Sequence, residues 1–175
     1  MNRRLAMLSL LALLVAPGVP AIAAQATAPP GTVSVSYDHP ENFSEARKER
    51  GLAPTRESDS YLKTLREYME KRAARILPPG DHLDIVVTDI DLAGSFEPWH
   101  GMQMQDVRII RSIYPPRIDL HFRLLDADGK VIREGTRKLR DPGFLDSGIT
   151  AMQNTPLKYE KALIDRWLSK GPDKL

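Results

Sequence analysis

The sequence of 175 residues contains no cysteine. This excludes disulfide bonds, thiolate metal sites and a lipid anchor on an N-terminal cysteine. The stability of the fold must therefore come from a packed core. The length is sufficient for one such domain and short for two.

The sequence also lacks any long apolar run apart from one near its start. The chain starts with Met-Asn-Arg-Arg, continues with an apolar stretch from Leu5 to Val15, and reaches small residues suited to cleavage near Ala23 or Ala24. The apolar stretch is shorter than the ~20 residues that a membrane-spanning helix needs. This pattern predicts a signal peptide over residues 1–24. We expect the mature protein to be soluble and periplasmic, with no membrane span.

The expected mature chain has no excess of charge of either sign. Arg3 and Arg4 lie in the leader, and removing them from the 25 Lys and Arg residues leaves 23, equal to the 23 Asp and Glu residues. A neutral chain does not have the overall positive charge typical of nucleic-acid-binding proteins. The sequence therefore predicts no nucleic-acid partner.

Motifs of known catalytic and cofactor sites are not found. No G-x-S-x-G, G-x-G-x-x-G or Walker sequence is present, and the histidines do not have the spacing of a zinc site. Without cysteine, a nucleophile would have to be serine, threonine or a carboxylate, and no pattern distinguishes one. The sequence predicts no cofactor and no catalytic residue, and it disfavours an enzyme. The histidines are His39, His82, His100 and His121.

Alternation of apolar and polar residues predicts the strands of the domain. In Arg117–Leu125 the even-numbered residues are apolar and the odd-numbered ones are mostly polar, as expected for a sheet with one solvated face. The segment Val131–Leu139 is polar on both faces, which suits the edge of a sheet. Further strands are predicted at Thr32–Tyr37, Leu83–Leu92 and around Val107 to Ile113.

Two amphipathic helices are predicted from spacings of three and four residues. The first begins at Ser58 or Asp59 and ends near Leu77, and the second begins at Thr155-Pro156. The order of elements predicts an α+β domain, with an antiparallel sheet of four to five strands and two amphipathic helices packed on one face. The pairing of the first strand stays open. The predicted organisation is a flexible segment 25–31, a single domain 32–170 and a C-terminal tail 171–175.

The segment Thr88 to Gly94 interrupts the strand pattern. Apolar residues fall on odd numbers from Leu83 to Val87 and on even numbers afterwards, so a regular strand would place Asp89 and Asp91 in the core. Burying two unpaired carboxylates is too costly. Either a bulge near Thr88 reverses the faces, or the strand ends and the aspartates hold a turn before Gly94.

Several roles remain open for Asp89 and Asp91. A structural role is favoured, in which both carboxylates accept backbone N–H bonds of the turn; salt bridges with Arg108 or Arg111 on the next strand are a related possibility. With a third oxygen donor such as Glu97, the aspartates could bind a hard cation such as Ca²⁺, although the twelve-residue signature of a calcium loop is not present. An acid/base role would need a pocket that the sequence does not reveal.

The predicted hairpin near residues 117–139 is locally basic. Eight basic and four acidic residues lie between Arg111 and Arg140. Arg117 and Arg123 share one strand face, and we expect members of the pair Arg133 and Arg137 to lie beside them. Arginine side chains suit carboxylate and phosphate partners. The hairpin is therefore a candidate surface for an envelope protein or an anionic envelope component, or an ordinary solvated face that protects an edge strand.

A long loop is predicted between residues 141 and 154. It contains the apolar residues Phe144, Leu145, Ile149 and Met152 among glycine and polar residues. Loops of this length are uncommon and are often functional. The apolar residues either cover the end of the core or form an exposed rim around a partner site.

Four segments resemble a bacterial exported family, catalogued as domain of unknown function 3016. The most specific is Asp89-Ile90-Asp91-Leu92-Ala93-Gly94 with the strand before it. One departure is Glu45 in Phe43-Ser44-Glu45, where the family leads us to expect aspartate. The resemblance implies export and a single domain, and it supplies no catalytic residue. The other matching segments are Pro115-Pro116-Arg117-Ile118, Asp126-Ala127-Asp128-Gly129-Lys130 and Leu157-Lys158-Tyr159-Glu160-Lys161.

The leading hypothesis is a periplasmic accessory or interaction module of the cell envelope. The alternatives are a ligand- or metal-binding protein that uses Asp89 and Asp91, and a hydrolase of unrecognised type. The sequence leaves the ligand, the partner and the oligomeric state open.

Overall fold

The computed structural model describes residues 30–50, 60–100, 106–146 and 155–175. The predicted signal peptide lies outside the described residues. Within them, no helix is long and apolar enough to cross a membrane. The described elements are β1 (Thr32–Tyr37), α1 (Ser44–Glu49), α2 (Ser60–Ala73), β2 (His82–Asp91), β3 (Ser95–Phe96), β4 (Arg108–Ile109), β5 (Arg117–Leu125), β6 (Val131–Arg140) and α3 (Lys158–Leu168).

The main sheet has four strands in the order β1-β2-β5-β6. The prediction of α+β is confirmed, but the prediction of an antiparallel sheet is wrong, because β1 runs parallel to β2. The chain between these strands passes through α1 and α2 and returns in the same direction, which is the connection that parallel neighbours require. The β2–β5 and β5–β6 pairs are antiparallel. The strand predicted around Val107 to Ile113 is only the short β4, which pairs with β3 in a second sheet.

The core lies on one face of the main sheet. On β5 the buried residues are Ile118, Leu120, Phe122 and Leu124, as the alternation predicts. Helices α2 and α3 contribute buried residues to the same cluster, so the sheet and both helices share one core. The helical residues in it are Tyr61, Leu65, Met69, Ala73, Leu163, Ile164, Trp167 and Leu168.

The start of α3 and the chain after it differ from the prediction. The helix begins at Lys158, because the residue before it, Leu157, has a left-handed backbone with φ 57°. Residues 171–175 were predicted as a tail, yet Leu175 is buried in the core. In the predicted long loop, Phe144 is buried and stacks edge-on against Tyr159 with ring centroids 4.8 Å apart. Leu145 is exposed, and Ile149 and Met152 lie outside the described residues.

A bulge at Thr88 reverses the faces of β2, as one of the two predicted alternatives requires. Val87 pairs with Leu120 and Asp89 pairs with Asp119, so Thr88 is an extra residue without a partner on β5. Beyond the bulge Ile90 is buried in the core. Asp89 and Asp91 therefore lie on the opposite face of the sheet, which we call the polar face. Its members on β2, β5 and β6 are His82, Asp84, Asp89, Asp91, Arg117, Asp119, His121, Arg123, Glu134, Thr136, Lys138 and Arg140.

Deletion of Thr88 tests this reversal. We expect the shortened protein to lose cooperative unfolding, because a regular β2 would turn Asp89 and Asp91 into the core and Ile90 out of it. Thr88→Ala keeps the residue count and should cost no more than about 1 kcal/mol. Circular dichroism and thermal unfolding measure the cooperativity of the deletion variant and the stability of Thr88→Ala. Thr88→Ala is also the matched control. Equal tolerance of the deletion and of the substitution would contradict the assignment.

Candidate functional site

Asp89 caps helix α1 from outside the helix. Its carboxylate accepts the backbone N–H of Ser44 at 2.6 Å and the Ser44 hydroxyl at 2.8 Å. The residue at the N-cap position of α1 is Phe43, which has no side-chain acceptor for the free N–H groups of the first turn. A carboxylate at this position also interacts favourably with the positive end of the helix. Asp89 therefore fixes a six-residue helix that is too short to be stable alone.

Asp91 is the centre of a buried ion cluster. Only 3% of the residue is exposed. One carboxylate oxygen accepts a hydrogen bond from the Lys48 ammonium of α1, and the other accepts two from Arg117, which lies directly opposite on β5. The bond with Asp91 raises the pKa of Arg117 above its usual value. The two cations at its oxygens therefore compensate the negative charge of this buried carboxylate.

The expected salt bridges of the aspartates with Arg108 or Arg111 are wrong. Arg108 pairs with the buried carboxylate of Glu45, and Arg111 lies 3.3 Å from Glu97. The reason is the bulge, since it aligns Asp91 with Arg117 instead of with the β3–β4 sheet.

The turn after β2 is held by glutamates that the sequence did not single out. The N–H of Leu92 donates to Glu45 at 3.0 Å, and the N–H of Ala93 donates to Glu160 at 2.7 Å. Gly94 completes the turn with φ 88°, and a Cβ there would lie 2.8 Å from the carbonyl oxygen of Ile109. The prediction that Asp89 and Asp91 accept the backbone N–H bonds of this turn is wrong, because these N–H groups donate to Glu45 and Glu160.

Glu160 is buried on α3 with 2% of its surface exposed. Burial raises its pKa, while the N–H of Ala93 and the positive charge of Arg108 act in the opposite direction. The nearby charge of Glu45 raises it further. The turn therefore lies between one glutamate paired with Arg108 and a second whose charged form is disfavoured.

Glu97 does not join the two aspartates. It is fully buried, and its Oε1 accepts a hydrogen bond from the Tyr114 hydroxyl at 3.0 Å. Across the described ranges, no group of three or more His, Asp or Glu side chains is arranged to hold a metal ion. The geometry of Asp89, Asp91 and Glu97 supports a structural role for each of them.

The four predicted binding arginines are divided between the two faces of the sheet. Arg117 and Arg123 lie on the polar face. Arg133 lies opposite Leu124 and Arg137 lies opposite Leu120, so both are on the core side. The expectation that they lie beside Arg117 and Arg123 is wrong. The extra residue Ile132 near the hairpin turn determines which residues of β6 share a face with those of β5.

The cations of the hairpin also differ in their contacts. Arg117 pairs with Asp91, and Arg140 pairs with Asp119 at 2.6 Å. Arg137 donates to the backbone oxygen of Leu175 and lies over the ring of Phe122. No hydrogen bond or ion pair within the described chain is formed by the side chains of the remaining three, Arg123, Arg133 and Lys138.

A chain of hydrogen bonds crosses the polar face near the start of β1 and β2. The Thr32 hydroxyl lies 2.6 Å from His82 Nδ1, and His82 Nε2 lies 2.7 Å from Asp84. Ser34 donates to the same carboxylate at 2.6 Å and is the main cause of its lowered pKa, with His82 acting in the same direction. The order hydroxyl, imidazole, carboxylate is that of a hydrolase triad. These groups lie on a partly exposed sheet face, however: the side chain of His82 is 36% exposed and that of Asp84 is 34% exposed, whereas such chemistry proceeds in sites that exclude water.

The family comparison matches residues 31–170 to a family described as a protein of unknown function, DUF3016. The chain belongs to this family. The resemblance inferred from the sequence is therefore confirmed, and the matched region contains all of the predicted site residues. No curated protein and no solved structure gave a match.

Two residues at the turn were missed although the sequence contains a signal for each. Glu160 occurs three residues before Leu163 and four before Ile164, on the apolar stripe of α3, and a charged residue on such a stripe indicates burial with a partner. Glu45 is the position that departs from the family pattern, and it is fully buried. Lys48 carries no such signal, because a lysine on a short polar helix is expected to be solvated.

Removing the carboxylate of Asp91 tests the ion cluster. We expect Asp91→Ala to lower the free energy of unfolding by about 2–3 kcal/mol, at or below the usual range for a broken buried pair, because Lys48 and Arg117 are partly exposed and can be solvated again. Urea unfolding measures it. The exposed Lys63–Glu67 pair is the control, and Glu67→Ala should cost under about 0.5 kcal/mol. A Ca²⁺-dependent rise of the wild-type melting temperature that Asp91→Asn abolishes would contradict a structural role.

The raised pKa of Glu160 predicts a pH-dependent effect of Glu160→Gln. The glutamine oxygen can still accept the Ala93 N–H. In the wild type, folding favours the protonated form of Glu160. The stability that this form contributes is present in full at low pH and is lost as the pH rises through the pKa of Glu160 in the folded protein. The variant lacks this loss, and its stability relative to the wild type should increase with pH. Thermal melts from acid to alkaline pH measure the difference, with Glu67→Gln as control. A constant difference would refute the assignment.

Proposed function

We propose that this protein is an exported accessory module of the cell envelope that binds an acidic segment of a partner protein through its basic hairpin, which is β5, β6 and the turn between them. The observation that carries the proposal is a set of cations on this hairpin that form no direct ion pair within the described residues. Arg123, Arg133 and Lys138 form no hydrogen bond or ion pair within the described residues. The ion pairs nearby, in contrast, neutralise Asp91 and Asp119.

The position of these cations favours a protein partner. They belong to two neighbouring strands at one side of the sheet, and β6 is the outermost strand. Arg133 and Lys138 lie on opposite faces of β6, so a flat anionic surface could not contact both at once. A chain segment that runs along the strand can reach both, and carboxylates are suitable partners for both cations.

Export is the second part of the proposal, and it rests on the sequence. The charged start, the short apolar centre and the small residues near Ala23 and Ala24 are the parts of a secretory signal. The absence of cysteine fits a protein that does not depend on disulfides in the periplasm.

The contacts around Asp89 and Asp91 give less support to a metal- or ligand-binding protein. Asp89 accepts hydrogen bonds from Ser44, and Asp91 accepts them from Lys48 and Arg117. A ligand would have to replace these internal donors. The hydrogen-bonded chain at His82 is the feature nearest to a hydrolase, and its exposed position does not favour one.

In-cell photo-cross-linking tests the proposed function. A photo-reactive amino acid at Thr136, which lies between Arg133 and Lys138 on β6, should give a discrete cross-linked protein whose contact region is acidic. The product should disappear in Arg133→Glu/Lys138→Glu and persist in Lys71→Glu/Arg75→Glu, a matched reversal of two exposed cations outside the hairpin.

The same label at Ile113, which is 67% exposed at the β3–β4 end of the molecule, is the positional control. Cross-links from Ile113 with none from Thr136 would overturn the proposal. So would a product from the hairpin that survives the Arg133→Glu/Lys138→Glu reversal.

A further inference from the structure

We infer that the partner segment binds as an added strand along the outer edge of β6. The inference rests on the proposed function and names the geometry of that contact. It identifies the partner's binding element as an extended segment with acidic residues near Lys138 and apolar residues near Ile132.

The first observation is the length and regularity of the edge. β6 has ten residues and pairs only with β5 in the described sheet. From Arg133 to Arg140 its register is unbroken. Every second backbone N–H and C=O of an edge strand points away from its neighbour and is available to another chain.

The second observation is that β6 lacks most of the devices that block an edge. Proteins protect edge strands by shortening them, by proline, by bulges in the strand or by a covering element. β6 contains no proline, and its one irregularity, at Ile132, lies at its start. All of its residues are exposed or half-buried. The protective feature that β6 does have is its charged side chains.

The charge on β6 discriminates between partners. The strand carries four basic residues and only one acidic residue, Glu134. A second copy of β6 would bring like charges opposite each other, which is unfavourable, whereas an acidic strand would form favourable cross-strand pairs of about 0.2–1 kcal/mol each. The same charges therefore oppose self-association and favour an acidic segment. The basic residues are Arg133, Arg137, Lys138 and Arg140.

The apolar start of the strand gives the contact a direction. Val131 is 41% exposed and Ile132 is 54% exposed, and both precede the basic residues. An added strand with apolar residues at this end would cover them, while main-chain hydrogen bonds supply affinity along the whole edge. The other edge strand, β1, is shorter and carries no charged residue, so it does not offer the same complementarity.

A peptide experiment tests the geometry. The probe is a synthetic peptide with two valines followed by alternating pairs of glutamates and threonines, which places glutamates on both faces of an added strand. Its affinity for the mature protein is measured by fluorescence anisotropy. N-methylation of two adjacent central residues blocks both edges of the peptide and keeps its charge. We expect affinity to fall at least tenfold on N-methylation, and alternate β6 amides to exchange more slowly with deuterium when the parent peptide is bound.

The outcomes separate the inference from the proposed function. Equal affinity of both peptides, with no protection in β6 but loss of binding in Arg133→Glu/Lys138→Glu, would overturn strand addition and leave the basic hairpin as the binding surface. Absence of binding, or binding unchanged when glutamine replaces each glutamate of the peptide, would overturn the inference whatever the cross-linking shows. Concentration-dependent dimers formed through β6 at low salt would also overturn it.

Discussion

The placement of Asp91 is the constraint on which the rest of this structure depends. A carboxylate at the end of a core strand must either leave the core or find charges of opposite sign, because an unpaired buried charge costs several kcal/mol. The chain meets both conditions. The extra residue Thr88 turns Asp91 to the polar face, and Lys48 and Arg117 then neutralise it there. Helix α1 thereby becomes attached to β2 by charge as well as by packing.

The same bulge organises the turn that follows. With Asp89 turned away from the core it caps α1, and α1 in turn presents Glu45 to the N–H of Leu92. Glu160 reaches the next N–H from α3 on another side. Acidic side chains from two helices thus satisfy consecutive backbone donors that a strand neighbour would otherwise have satisfied. Asp89 and Asp91 belong to this support, and we therefore propose the hairpin as the surface for a partner.

Local patterns predicted the parts of the fold that depend on local physics. The alternation in β5 and the conflict around Thr88 were predictable because side chains alternate in any strand. The cost of burying Asp91 left two alternatives, a bulge or an early end of the strand. The parallel β1–β2 pair and the partners of Asp91 could not be predicted from the sequence, since both depend on which strands become neighbours. The face of Arg133 and Arg137 depended on one extra residue, Ile132, because a shift of one residue moves every later side chain to the other face.

Hydrogen exchange at single residues tests the central claim, that carboxylate side chains hold helix α1 and the turn after β2 by accepting their backbone N–H groups. The decisive amides are those of Ser44, Leu92 and Ala93, which donate to Asp89, Glu45 and Glu160. We predict that all three exchange slowly, with Leu92 and Ala93 comparable to the amides in the centre of β2. Exchange as fast as that of exposed turn amides would contradict the account.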